Sequence, residues 1–308
     1  MAQAIRYARY GGPEVLALQE VADPEPGPGQ VRVAVRAVGV NPVDWKIRSG
    51  AFASEPLTEP AGTGLDLAGT VEALGPGTTR WSPGQHVFGR AEGGAAATRA
   101  LADADQLLEK PDWLGFEQAA ALPVAAETAY RTLGVLGVGA GDRLLVHAAA
   151  GGVGLVAAQL ARGRGAAVIG TAGPANHGFL RELGVEPVAY GEGLRERLRA
   201  AAPDGVDAVL DASGRGVLGI SVELAGSAQR VVTIADPDAA EHGVYFSGGA
   251  ADRAALEEVF AEVLPLMRQG RLRLPIERAF PLEQTARAHE LSQEGHLRGK
   301  IVLTVDGS

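Results

Sequence analysis

Hydrophobic and polar positions alternate in short runs over the first 110 residues. Segment 31–38, VRVAVRAV, alternates strictly, which is typical of a half-buried β-strand, and the DPEPGPGQ before it predicts a loop. Segments 65–74 (LDLAGTVEAL) and 84–90 (GQHVFGR) predict further short strands separated by turns. This part of the chain is therefore predicted to be mostly β-structure.

The pattern changes near residue 115. Segment 115–137 predicts a helix interrupted at Pro123, and from residue 143 onward short apolar runs alternate with amphipathic ones. Such alternation indicates a parallel sheet covered by helices on both faces. A helix is predicted over 282–292 and a last strand over 300–305. We therefore expect an α/β protein with a β-rich domain followed by a doubly wound domain, the C-terminus returning to the first.

Composition excludes several classes of function. The net charge of −9 argues against nucleic acid, and the basic clusters 195–199 and 268–273 have the leucine spacing of solvated helix faces. The chain has no cysteine, which excludes disulfides and every zinc site that needs a thiolate. We see no signal segment and no apolar run near the ~20 residues of a membrane helix, so a cytoplasmic protein without membrane partners is expected.

Three glycines lie between two apolar runs in segment 144–172, LLVHAAAGGVGLVAAQLARGRGAAVIGTA. Gly151, Gly152 and Gly154 fall where a buried strand should turn into a helix. Without a Cβ they are expected to allow positive φ and a close approach of the backbone to a ligand. The free N–H groups of the following helix suit a dinucleotide pyrophosphate, so the turn predicts a nucleotide-binding site.

The end of the next strand favours NADPH over NADH. An NAD site places an acidic residue there to bind the ribose 2′-hydroxyl, but this chain has no carboxylate before Glu182. The polar residues present, among them Thr171, Asn176 and His177, are neutral or basic and would tolerate a 2′-phosphate. The alternative for Asn176 is that it only caps the helix entered at His177.

Several segments together resemble the medium-chain dehydrogenase/reductase superfamily, in its zinc-free quinone oxidoreductase (zeta-crystallin-like) branch. The matching segments are YGGPEVL (10–16), GVNPVDWKIRSG (39–50), GLDLAGTVEALGPG (64–77), GQHVFG (84–89), LPVAAETAYRTL (122–133), VHAAAGGVGLVAAQLAR (146–162), VLDASG (209–214) and GKIVL (299–303). The resemblance implies a GroES-like catalytic domain over 1–124, completed by 275–308, and a Rossmann NADP(H)-binding domain over 125–274.

Two departures from the wider superfamily bear on a metal site. Zinc alcohol dehydrogenases carry Cys and Gly-His-Glu where this chain has Asn41 and Gly64-Leu65-Asp66, and their four-cysteine lobe is absent, so no metal site is expected. The usual aromatic-containing segment is reduced to GGAAATRAL (93–101), and Glu127 lies where relatives have an apolar residue.

The resemblance implies that Asn41 and Lys46 carry the chemistry and that Asn41 also contacts the cofactor, with Trp45 lining the pocket. Simpler alternatives are an Asx-type turn for Asn41, a surface position for Lys46 and a back-bonded helix hydroxyl for Thr128. Together with Asn41, the predicted cofactor-binding positions include the glycine turn and its neighbours. They are Thr128, Ala150, Gly151, Gly152, Val153, Gly154, Thr171, Asn176, His177, Tyr190, Ile234, Ala235, Phe246, Ser247 and Lys300.

The leading interpretation is a homodimeric, zinc-free enzyme that transfers a hydride from NADPH to a quinone or a similar conjugated carbonyl compound. One alternative is an NADPH-dependent enal or enoyl reductase, which reduces the carbon–carbon double bond. Another is a non-catalytic, crystallin-like nucleotide-binding protein. The residues alone do not distinguish among these.

Overall fold

The structure is a computed structural model that describes residues 1–91 and 93–305. Its first part is β-rich, as predicted. The strands of this part are β1 (Ala2–Tyr7), β2 (Ala17–Val21), β3 (Gln30–Val40), β4 (Ala61–Gly62), β5 (Asp66–Leu74), β6 (His86–Arg90), β7 (Arg99–Asp103) and β8 (Leu107–Glu109). The helices are α1 (Pro42–Ser49), α2 (Phe116–Ala120) and α3 (Pro123–Leu136). The break between α2 and α3 therefore lies at Pro123, where the sequence predicts it.

The rest of the chain alternates strands and helices. Its strands are β9 (Arg143–His147), β10 (Ala167–Ala172), β11 (Glu186–Ala189), β12 (Ala208–Asp211), β13 (Val231–Thr233), β14 (Tyr245–Phe246), β15 (Ile276–Pro281) and β16 (Lys300–Thr304). Its helices are α4 (Gly152–Gly163), α5 (His177–Glu182), α6 (Leu194–Ala201), α7 (Leu218–Ala225), α8 (Arg253–Arg268) and α9 (Thr285–Glu294).

The larger sheet of the β-rich domain is built around β3. Its strand order is β15-β16-β3-β5-β6-β8, with β7 also paired to β3, and β2-β1-β4 form a smaller sheet. Val31, Val33 and Val35 are buried on one side of β3, as their alternation predicts. The C-terminal strand β16 pairs antiparallel with the end of β3, placing Ile301 opposite Val40. The C-terminus thus returns to the first domain.

The second sheet is parallel throughout, in the order β11-β10-β9-β12-β13-β14. The direction of winding reverses at β9, which lies between β10 and β12. Side chains of β9 alternate between two hydrophobic cores: Leu144 and Val146 pack into one, and Leu145 packs into the other. Helices therefore cover both faces, and the predicted fold class, a GroES-like domain with a doubly wound Rossmann domain, is confirmed.

Of the two basic clusters, only the first is a helix face. Residues 195–199 lie within α6, whereas 268–273 begin at the last residue of α8 and continue into the turn beyond it. The helical expectation for 268–273 is therefore wrong. Glycine at position 270 has φ +68, a conformation that cannot continue a right-handed helix.

One edge of the parallel sheet is open. Tyr245 and Phe246 of β14 are exposed, and within residues 1–91 and 93–305 β14 pairs on one side only, with β13. The expected homodimer stays a prediction. Among residues 1–91 and 93–305, the structure has no helix of the length and hydrophobicity needed to cross a bilayer.

The turn between β9 and α4 needs glycine for close packing. None of Gly151, Gly152 and Gly154 has a positive φ, so that expectation is wrong; the left-handed residue is Ala148, at φ +57. A Cβ on Gly154 would lie 2.3 Å from the backbone oxygen of Ala148, and one on Gly152 would lie 2.8 Å from Cδ of Lys300. At Gly154 the helix lies too close to the backbone of the preceding turn for any side chain, whereas a side chain at Gly152 would have to displace that of Lys300.

A buried arginine anchors α1 to the C-terminal helix α9. Arg48 is fully buried and donates from Nη1 to Nδ1 of His289 (3.5 Å) and from Nη2 to Oε1 of Gln293 (3.2 Å). Because the guanidinium can only donate, Nδ1 of His289 must be the unprotonated nitrogen. Burial, and then the nearby Arg48 charge, lower the pKa of His289 to about 3. His289 is therefore neutral in the folded protein.

We expect Gly154→Ala to destabilise the protein and Gly163→Ala to stabilise it. Both glycines belong to α4, but an added Cβ at Gly163 meets no atom within 4 Å, whereas at Gly154 it meets backbone. Overpacking at Gly154 should cost about 1–3 kcal/mol, and alanine at Gly163 should contribute about 0.5–1 kcal/mol. Urea unfolding measures both, and equal effects of the two substitutions would contradict the packing argument.

His289 should lower the free energy of unfolding as the pH drops below about 6.5, a contribution that Asp44, with its raised pKa, opposes. The folded-state pKa lies below the ordinary value of 6.5, so between about pH 6 and 4 the unfolded chain takes up a proton that the folded chain does not. The free energy of unfolding should then lose about 1.4 kcal/mol per pH unit from this residue. His289→Asn keeps an acceptor for Arg48 but does not titrate. The slope of its free energy of unfolding against pH should therefore be smaller than that of the wild type by about 1.4 kcal/mol per pH unit. His242→Asn, at an exposed position, is the control and should keep the wild-type slope.

Candidate active site

The candidate site lies where the two domains meet, beyond the carboxyl ends of β9 and β12. Open parallel sheets bind their ligands at this point of reversal. The C-terminal segment joins the domains directly beside the glycine turn, because the N–H of Gly299 donates to the oxygen of Ala150 at 2.8 Å. The end of β3 and the start of α1, which carry Asn41 and Lys46, are thereby held against the nucleotide-binding domain.

A buried cluster of charged groups surrounds Asn41. Its amide nitrogen donates to Oδ2 of Asp66 (2.9 Å) and to the oxygen of Gly39 (3.4 Å), and its Oδ1 accepts from Nζ of Lys300. Lys300 also donates to the oxygen of Val40 (2.9 Å) and lies 3.9 Å from Asp66. Both amide N–H groups of Asn41 are therefore engaged by the protein. The predicted catalytic role of Asn41 stays a prediction, and the geometry fits a positioning residue better than a free donor.

Two carboxylates belong to this cluster. Asp44 accepts a hydrogen bond from the backbone N–H of Asn41 (2.7 Å) and so fixes the first turn of α1. Burial raises the pKa of Asp44 to about 7, and burial also raises the pKa of Asp66 although Lys300 opposes that shift. Burial lowers the pKa of Lys300, against the opposing effect of both carboxylates. The charged form of each group thus depends on the presence of the others.

Lys46 reaches from α1 across the cleft. Its Nζ donates to the backbone oxygen of Ala235 (3.4 Å), in the segment after β13. The side chain is half-buried, and burial lowers its pKa despite the nearby carboxylates of Asp211 and Asp236. Trp45 lies beside it, with Nζ 5.8 Å from the indole ring. Lys46 is therefore not on the open surface, as the simpler alternative proposed.

Helix α3 contributes an ion pair at the same level. The carboxylate of Glu127 accepts from Nε of Arg131 (2.6 Å) and from the hydroxyl of Thr128 (3.3 Å). Arg131 donates from Nη1 to the hydroxyl of Ser247, after β14. The simpler alternative for Thr128 is a hydrogen bond from its hydroxyl back to its own helix. Its hydroxyl instead donates to Glu127, and Thr132 makes a bond of that kind, donating to the backbone oxygen of Thr128 (2.8 Å).

A buried histidine supports the glycine turn from below. The hydroxyl of Ser221 donates to Val217, so Nε2 of His147 must be the donor to Ser221 (3.1 Å), which leaves Nδ1 to accept from Thr171 (3.2 Å). Thr171 in turn accepts from the N–H of Ala148 (3.2 Å). Burial lowers the pKa of His147 to about 4, so this order is kept at neutral pH. Thr171 therefore supports the left-handed Ala148 and is itself buried.

The predicted 2′-phosphate residues meet the C-terminal segment. Asn176 precedes α5 but makes no side-chain cap; its Oδ1 accepts from Nε of Arg298 (3.1 Å). The hydroxyl of Tyr190 bonds to His296, and the two rings stack. Nε2 of His177 lies 3.1 Å from the backbone oxygen of Ala172. Sequence reasoning missed Arg298 and His296, which lie more than 100 residues away along the chain and carry no local signal.

The remaining predicted residues lie along the same crevice. Val153 is in the first turn of α4, and Ile234 and Ala235 follow β13, while Phe246 is largely exposed on β14. Sequence reasoning also missed Asp211, which is fully buried and accepts from the hydroxyl of Thr233 (2.9 Å) as well as from the turn after β12. The sequence feature that could have identified Asp211 is a carboxylate at the end of an apolar strand.

Two family models match the chain. "Alcohol dehydrogenase GroES-like domain" matches residues 27–112, and "Zinc-binding dehydrogenase" matches residues 183–303. The residues present do not fit a zinc ion. The Lys300 ammonium already lies against Asn41 and Asp66, the chain has no thiolate, and no group of three or more His, Asp or Glu ligands occurs in residues 1–91 and 93–305.

The comparisons with known proteins include full-length relatives and solved structures. Quinone oxidoreductase of Lama guanicoe is 35% identical, over 98% of this chain and 97% of that protein. Pikromycin polyketide synthase component PikAII of Streptomyces venezuelae is 38% identical over 93% of this chain, which spans only 8% of that protein. The Escherichia coli quinone oxidoreductase structure with NADPH matches at a TM-score of 0.87 and 27% identity, over 98% of this chain and 99% of that one. With its predicted fold and motifs, this chain therefore belongs to the medium-chain dehydrogenase/reductase superfamily, as its resemblance implied.

Proposed function

We propose that this protein is an NADPH-dependent, zinc-free oxidoreductase that reduces a conjugated carbonyl compound, with a quinone as the leading substrate class. The observation that carries the proposal is Lys46, whose ammonium lies inside the crevice against Ala235. There Lys46 would supply a fixed cation, able to release a proton, beside the predicted nicotinamide site. The Lama guanicoe relative is named a quinone oxidoreductase, and the E. coli structure is a complex with NADPH, which support the same assignment.

The residues that would hold NADPH line the crevice in order. The first-turn N–H groups of α4 at residues 152–154 have no acceptor within the helix and would bind the pyrophosphate. Arg298 and Asn176 would bind the 2′-phosphate, with His177 and Tyr190 nearby. Thr128 and Ser247 would contact the nicotinamide end. When bound there, NADPH supplies a hydride from its nicotinamide ring.

Lys46 contributes a positive charge and a proton. One N–H of its ammonium is used by Ala235, which leaves two for an acceptor oxygen. The charge stabilises negative charge that develops on this oxygen, and burial, by lowering the pKa of Lys46, makes proton release easier. A quinone that accepts the hydride needs only one further proton to become a hydroquinone; Lys46 can donate that proton and then regain one from water.

Lys46 also favours a second candidate, reduction of an enal or enone double bond. There the hydride adds to the β-carbon and the resulting enolate must gain a proton, at its oxygen or its α-carbon, before product leaves. A buried proton donor matters more for that product than for a hydroquinone, whose oxygens exchange readily with water. The two substrate classes should therefore respond differently to the loss of this residue.

Lys46→Met should lower kcat and kcat/KM together by about 10- to 1000-fold, because it removes a group that acts as charge develops. NADPH affinity, measured by fluorescence titration, should change less than about threefold. Lys46→Arg keeps the charge but releases a proton poorly, so it should restore turnover with quinones and not with enones. A zinc chelator should leave the wild-type rate unchanged. Wild-type turnover in Lys46→Met with both substrate classes would overturn the assignment of Lys46, and chelator-sensitive turnover would overturn the zinc-free proposal.

Arg298→Met should weaken NADPH binding by about 5- to 50-fold and leave NADH binding unchanged, since only NADPH carries a 2′-phosphate. Arg273→Met is a matched control. Both guanidinium groups lie over the ring of Phe179, at 5.2 and 5.0 Å, but Arg273 is paired with Glu182. An equal loss of NADH affinity in Arg298→Met, or equal binding of both coenzymes by the wild type, would contradict the 2′-phosphate assignment.

A further inference from the structure

A buried carboxylate and an arginine connect two hydroxyl groups at the predicted nicotinamide end. The side chain of Glu127 is 2% exposed, and its i,i+4 partner Arg131 is 24% exposed. The pair links α3, which carries Thr128, to Ser247 in the segment after β14. Thr128 and Ser247 are themselves buried.

The network fixes the direction of both hydroxyl protons. A carboxylate can only accept, so Thr128 must donate its proton to Glu127, and its oxygen then presents lone pairs alone. A guanidinium can only donate, so Ser247 accepts from Arg131 and keeps its own proton free. Among the described residues no other group contacts either hydroxyl proton or lone pair. One hydroxyl is thus set as an acceptor and the other as a donor.

We propose that Glu127 and Arg131 are positioning residues that make Thr128 and Ser247 complementary to a primary carboxamide, the group carried by the nicotinamide ring. A carboxamide offers N–H donors and one carbonyl acceptor, the reverse of this pair. The inference rests on the proposed function, since it assigns the hydroxyls to the nicotinamide end of the cofactor. It adds that the chain recognises the carboxamide itself, by a pre-set order of hydrogen bonds.

Binding measurements with three ligands test this without turnover. The ligands are NADP⁺, its 3-acetylpyridine analogue, which keeps the carbonyl but lacks the N–H₂ group, and 2′-phospho-ADP-ribose, which lacks the ring. The variants are Glu127→Leu and the double variant Glu127→Leu/Arg131→Met, which leaves no buried charge unpaired. Glu257→Leu removes an exposed partner of Arg253 at the same spacing on α8 and serves as the control. Thermal unfolding confirms that each variant is folded.

In Glu127→Leu the Thr128 hydroxyl is free to rotate, so NADP⁺ should bind about 3- to 10-fold more weakly while the acetylpyridine analogue is unaffected. The double variant should also weaken the analogue, because Arg131 no longer orients Ser247. Neither variant should alter the affinity for 2′-phospho-ADP-ribose.

Wild-type NADP⁺ affinity in a folded Glu127→Leu would overturn the inference, as would an equal loss for all three ligands, which indicates a structural role alone. A wild-type protein that binds neither NADP⁺ nor 2′-phospho-ADP-ribose would instead overturn the proposed function. These failures are therefore distinguishable.

Discussion

The Lys300 ammonium is the contact on which the geometry of the crevice depends. It donates to Val40 and Asn41 at the end of β3, and its aliphatic stem lies against Gly152 at the start of α4. One side chain from the C-terminal strand therefore fixes the end of the first domain and packs on the glycine turn of the second. Removing it would leave Asp66 buried without its cation, at a cost of several kcal/mol. The separation of the two crevice walls is thus set by a residue of the C-terminal strand, which lies in the sheet of the first domain.

This arrangement explains why the site can place polar groups reliably. A carboxylate and an ammonium fix the amide of Asn41, and the Ser221 hydroxyl, whose own proton goes to a backbone oxygen, fixes the tautomer of His147. A buried group with a single allowed orientation needs no reorganisation when a ligand arrives. The same low-dielectric surroundings make each unsatisfied polar group in such a network costly.

Sequence patterns predicted the elements and failed on long-range contacts, for physical reasons. The alternation in β3, the break at Pro123 and the strand–glycine–helix unit follow from local rules, and the structure has them. The reason why glycine is needed did not follow from the sequence. Glycine is required at position 154 because the backbone oxygen of Ala148 lies too close for a Cβ, and this distance is determined only once the helix is packed. Arg298 contacts Asn176, 122 residues before it, and Arg131 contacts Ser247, 116 residues after it. No local pattern encodes such pairs, because the topology of the chain brings them together.

Helix α1 shows what these constraints achieve together. It has eight residues, about 12 Å in length, and is fixed near each end by a buried charge. Asp44 binds the N–H of Asn41 at the start, and Arg48 joins His289 and Gln293 of α9 near the end. Lys46 lies between the two fixed points and reaches Ala235, 189 residues further along the chain. Two buried polar atoms without a hydrogen-bond partner, Oδ1 of Asp44 and Nε of Arg48, are costly for stability. The bonds that these two residues do make fix both ends of α1, and so hold the backbone that carries the ammonium of Lys46 in one place.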